Sequence, residues 1–114
     1  MHDYSFLLHT YEKMLHDAKD STTRTAYKNI VDTLYRSYEE VKQEIGDDSP
    51  VTTEQEAIAV AHVRIIVEAW QESATKWYHY ASTDYSKRES GLLLDIYGFF
   101  LYLSSPTIPE LPYN

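Results

Sequence analysis

From Tyr4 to Leu103 the chain holds one proline, Pro50, and three glycines, and apolar residues recur along almost all of it at spacings of three and four. Such spacing gathers side chains into one stripe on an α-helix but scatters them over both faces of a strand. The first stripe is Tyr4, Leu7, Leu8, Tyr11, Met14, Leu15 and Ala18, and Lys19-Asp20-Ser21 breaks it. Ser21 or Thr22 can cap a second helix, whose stripe of Tyr27, Ile30, Val31, Leu34, Tyr38, Val41 and Ile45 is the cleanest in the chain. Gly46 follows as a residue able to take the positive φ that ends a helix.

Asp47-Asp48-Ser49-Pro50-Val51 reads as a loop, because Pro50 disfavours a helical Ser49. Thr53 with Glu56, or Thr52 with Gln55, is a capping-box pattern that starts a third helix. Val60, Val63, Val67, Trp70, Ala74 and Trp77 share one face of it. Ile58, Ile65 and Ala69 lie well round the wheel, leaving a narrow polar strip of Arg64, Glu68, Glu72 and His79. This helix is expected to touch neighbours on two sides. Ser82-Thr83-Asp84 offers caps for a fourth helix from about Tyr85 to Leu103.

Four amphipathic segments with short connections predict an all-α protein, an antiparallel bundle of about four helices in up-down-up-down order. Residues 1–104 form its single domain, and 105–114 an extended tail in which Pro106, Pro109 and Pro112 repeat at the period of polyproline II. Ile108 and Leu111 of that tail are candidate anchors, on its own bundle or on an aromatic groove of another protein, with its own bundle the favoured site. The apolar run GLLLDIYGFFLYL, Gly91 to Leu103, spans only about 20 Å as a helix against a hydrocarbon slab of about 30 Å. It reads as a buried helix, with no membrane partner. The start, Met1-His2-Asp3-Tyr4, carries neither a basic region nor an apolar run, so a cytoplasmic location is expected.

Ten Lys and Arg against 18 Asp and Glu give a net charge of -8, which disfavours direct contact with nucleic acid and favours a partner with a basic surface. With no Cys, thiol chemistry and Cys-ligated zinc are excluded. His2, His9 and His16 recur every seven residues, about 10 Å apart along a helix, too far to share one metal ion. His62 and His79 have no His or carboxylate partner in H-E-x-x-H or E-x-x-H order. The expectation is therefore no metal and no cofactor. Gly-rich phosphate cradles, nucleophile elbows and dinucleotide fingerprints are absent as well.

Charge placement departs furthest from an even spread. Seven acids, Glu39, Glu40, Glu44, Asp47, Asp48, Glu54 and Glu56, stand against one base, Lys42, between positions 39 and 56. Glu54 and Glu56 favour the positive end of their helix dipole, whereas Glu44, Asp47 and Asp48 sit at the negative end of theirs. Glu39, Glu40, Glu44, Asp47 and Asp48 are accordingly the candidate partner-binding residues.

The reading that follows is a small acidic interaction protein without chemistry of its own, an inhibitor that occupies a basic, nucleic-acid-binding site on another protein. Compact acidic proteins encoded by phages and mobile elements, among them inhibitors of host defence nucleases, resemble the chain in size and charge; no diagnostic motif carries that likeness. The alternative is a ligand-binding or catalytic bundle with a pocket among Trp70, Trp77, Tyr97 and Tyr102, in which Asp95 is the buried acid. The second apolar face of the third helix also predicts a homodimer through the third or fourth helix.

Overall fold

Each helix begins where a side-chain oxygen can accept the free N–H groups of its first turn, as the computed structural model shows over the residues it describes, 3–46 and 48–106. Asp3 caps α1 (Tyr4–Asp17), its carboxylate accepting from the Phe6 N–H. Asp20, one residue before the serine expected from sequence, caps α2 (Ser21–Ile45) and accepts from both the N–H and the hydroxyl of Thr23. Of the two capping boxes open to α3 (Thr53–Tyr80), Thr52 with Gln55 forms, the two side chains each accepting from the other's N–H at 3.2 and 2.9 Å. Thr83 caps α4 (Asp84–Leu103) through the Ser86 N–H. Gly46 ends α2 at φ +89°, where side-chain-bearing residues are strained, and its N–H donates to the Lys42 carbonyl.

Cross-helix contacts establish the direction of each element. Along α3 and α4, Arg64 meets Leu101, Gln71 lies beside Gly98 and Tyr78 beside Gly91, so one number rises as the other falls. Tyr4 donates to the Leu34 carbonyl at 2.7 Å while Tyr11 packs edge-on to Tyr27, which makes α1 and α2 antiparallel too. Ser37 of α2 donates to the Ala59 carbonyl of α3 at 2.8 Å, and Asn29 shares a cleft with Ala74, so that pair is also antiparallel. The predicted antiparallel bundle of four helices is what forms, with no strand among the described residues.

The core draws Leu7 and Tyr11 from α1, Ile30 and Leu34 from α2, Val63 and Val67 from α3, and Phe100 from α4. Tyr11 lies edge-on to Phe100 as well as to Tyr27, with ring centroids 5.4 and 5.8 Å away. Trp70 is half-buried and Trp77 40 % exposed, because the bundle leaves a cleft on their side of α3. No helix among the described residues is long and apolar enough to cross a membrane. Of the expected tail, residues 107–114 lie outside the described residues.

Candidate functional site

The acidic end is built by the α2–α3 connection. Gly46 stops α2 and Thr52 starts α3 six residues later, which keeps the last turns of α2 and the first turn of α3 at one end of the molecule. Glu39, Glu40 and Glu44 project from α2, Asp48 from the loop, and all four are exposed; Asp47 lies outside the described residues. Glu40 and Glu44 stand one helical turn apart on the same face, a like-charge pair at the negative end of the α2 dipole. Glu54 is exposed in the first turn of α3, where Glu56 is half-buried.

Ion pairs among the described residues lie elsewhere: His16 with Asp17, Lys28 with Asp32, Arg64 with Glu68, and Lys76 with Glu72. None of them neutralises an acid of this end. Glu56 does reach the core electrostatically: burial pushes the Tyr4 hydroxyl pKa well above its ordinary value, and the charges of Glu12 and Glu56 push it further in the same direction. Beneath the acids, the Ser37 bond to Ala59 and the Tyr4 bond to Leu34 lock α1, α2 and α3 together, so the charges stand on a rigid base.

A second feature lies nearer the opposite end. Trp70, Ser73, Ala74 and Trp77 of α3, Leu93 and Tyr97 of α4, and Asn29 of α2 line a cleft of about 530 Å³. It continues past Trp77 into a recess of about 330 Å³ formed with Ser21, Thr22, Thr25 and Ala26. Trp70 and Tyr97 pack with centroids 5.6 Å apart, and burial raises the Tyr97 pKa. The α2 end of the recess is tied to α4 by Glu89, which accepts from both Thr22 and Tyr85 at 2.7 Å. Aromatic walls with an amide and hydroxyls suit a planar ligand held by stacking and a few hydrogen bonds.

Of the pocket residues expected from sequence, Trp70, Trp77 and Tyr97 converge and Tyr102 and Asp95 do not. Asp95 is exposed, on the outward face that α4 forms with Arg88, Phe99 and Tyr102, and it borders a separate shallow depression with Tyr78, Lys87 and Gly91. The expectation of a buried acid there is thus corrected: Ile96, Tyr97 and Phe100 take the inward face, and Asp95 follows them round the helix to solvent. Arg64 donates to the Leu101 carbonyl and the Ser104 hydroxyl. Asn29 and Thr25 were not singled out from sequence, and Thr22 was read only as a helix cap. They belong to α2, far in sequence from the tryptophans, and only the packing of α2 against α3 brings them into the cleft.

His9 and His16 are exposed on α1, with His16 Nδ1 3.1 Å from Asp17. Tyr35, Tyr80 and Tyr85 are exposed and Tyr78 is half-buried. No protein-family model matches the chain, and comparison with curated proteins and with solved structures finds no match to either.

Proposed function

We propose that this chain is a non-enzymatic interaction protein whose acidic end occupies a basic, nucleic-acid-binding surface of another protein. One observation carries the reading: Glu39, Glu40, Glu44 and Asp48 are exposed at one end of the bundle, and none is engaged by a basic side chain among the described residues. Acids in that state keep their full attraction for an external cation. Their placement works against the local helix dipole and sets Glu40 beside Glu44, each a cost of a few tenths of a kcal/mol that a folded chain recovers on meeting a basic partner.

The test is affinity capture from a lysate of the producing cells, using the wild-type chain and a variant carrying Glu39→Gln, Glu40→Gln, Glu44→Gln, Asp47→Asn and Asp48→Asn. The expected result is a protein that wild type retains at low salt, that the variant does not retain, and that added DNA releases by competing for the same surface. Equal capture by both chains, or indifference to DNA, contradicts the proposal.

The cleft supports a second reading, a bundle that binds a small planar ligand. Its favouring observation is the convergence of Trp70, Trp77, Tyr97 and Asn29 on one cavity. Both tryptophans of the chain line it, so their fluorescence reports occupancy directly. Titration with aromatic heterocycles is expected to quench or shift that emission saturably, and Trp77→Ala is expected to abolish the response; linear, non-saturating changes would discard this reading.

A further inference from the structure

The outward face of α3 carries a stripe that is symmetric about Ile65. Four residues away in either direction stand Ala61 and Ala69, seven away Ile58 and Glu72, and eleven away Glu54 and Lys76. At 100° per residue all seven positions fall within about 40° of Ile65, and all are exposed. Val63, Val67 and Ala74, on the opposite side of the same helix, fill the core. Ile58 and Ile65 are 50 % and 66 % exposed, so two large aliphatic side chains stand in water on a face that no other helix among the described residues covers.

We infer that this face receives a second copy of the chain, packed antiparallel on α3 about a two-fold axis at Ile65. Two features of the stripe select that occupant, with Ile65 set on the axis where it meets its own counterpart. The alanines on either side of it let the two backbones approach to about 8 Å. The charged ends are opposite in sign, so an antiparallel partner brings Glu54 level with Lys76 of the other copy, twice by symmetry, whereas a parallel partner would set like charge against like. Lys76 lies 3.8 Å from Glu72 within its own helix, a contact of two exposed groups that is readily exchanged. Ile58 comes level with Glu72 of the other copy, an apolar group against a carboxylate, which weakens the contact.

A strip of this length, about 33 Å by about 10 Å on each copy, buries roughly 700 Å² in total, below the roughly 1,000 Å² that a stable specific interface exceeds and in the range of a weak, transient contact. The dimer is therefore weak, with a dissociation constant of roughly tens of micromolar. Glu54 belongs to the acidic end, but the five substitutions at Glu39, Glu40, Glu44, Asp47 and Asp48 leave the stripe intact, so the two proposals are tested separately.

Sedimentation velocity of the full chain from about 5 to 200 μM tests it. Wild type is expected to pass from monomer to dimer across this range. Ile65→Glu, a change at an exposed position that leaves the fold in place, is expected to weaken association at least about tenfold. Glu54→Lys and Lys76→Glu are each expected to weaken it, and the double swap to restore it, since only the proposed register pairs those positions. Ile65→Cys supplies the chain's sole thiol and is expected to cross-link in pairs on oxidation. A wild-type monomer at 200 μM overturns the proposal, and if removal of residues 107–114 then yields a dimer, the occupant is the chain's own tail. A dimer indifferent to Ile65→Glu, or a double swap no better than the single ones, overturns it as well.

Discussion

The Arg64 guanidinium donates from one nitrogen to the Leu101 carbonyl and to the Ser104 hydroxyl, 2.8 Å away, and so fastens the middle of α3 to the C-terminal end of α4. Carbonyls in the last turn of a helix lack intrahelical donors, and a cation there also opposes the negative end of the dipole. Ser104 is buried and itself donates to the Phe100 carbonyl at 2.7 Å, so the three groups form one small network.

Replacing Arg64 with Met keeps most of the packing and removes the donors. It is expected to destabilise the fold by about 1 to 3 kcal/mol in urea unfolding, the range for hydrogen bonds to a charged group. Stability within about 0.5 kcal/mol of wild type would show that water replaces the guanidinium at no cost.

Tyr11 presents the opposite situation. Its ring is fully buried between Tyr27 and Phe100, and its hydroxyl has no hydrogen-bond partner among the described residues. Tyr11→Phe keeps the ring and removes the unsatisfied group, so it is expected to leave stability unchanged or raise it by about 1 kcal/mol. A loss above about 1 kcal/mol in thermal or urea unfolding would mean that the hydroxyl has an acceptor.

The α2 stripe, the four helices and the glycine stop at Gly46 were legible because each rests on local chemistry: a 3.6-residue period, a polar break, a positive φ. The choice of Thr52 over Thr53 as cap was not, since both positions carry a hydroxyl three residues before a Glu or Gln. Asp95 was misjudged because apolar residues surround it in sequence on nearly every side. Periodicity cannot orient such a helix; the contacts of α4 with Arg64, Gln71 and Tyr78 do. The acidic end could be read as composition at known helix termini, while the cleft depended on bringing Asn29 beside Trp77, a relationship between distant segments.

Burial raises the hydroxyl pKa values of Tyr4 and Tyr11 well above the ordinary tyrosine value of about 10. The neutral form is favoured in the folded state, so this contribution is complete below pH about 10 and is lost above it, as the unfolded chain ionises first. Each buried tyrosine then removes about 1.4 kcal/mol per pH unit until its own folded pKa is reached. Cooperative unfolding is expected in the alkaline range, with Tyr11→Phe moving its midpoint upward. A helical signal that survives unchanged to pH 12.5, with the tyrosines ionised, would contradict the assigned burial.

The proposed role of the acidic end is tested most directly by association kinetics with the protein captured through it. Its association rate is measured against the wild-type chain and against the five-residue Gln and Asn variant, from about 50 to 500 mM salt. Charge-steered binding predicts a wild-type rate that falls about tenfold or more over this range, and a variant that is slower at low salt and nearly flat, with both chains unfolding at the same urea concentration. Equal rates with equal salt dependence would reduce Glu39, Glu40, Glu44, Asp47 and Asp48 to a solvated face and contradict the account.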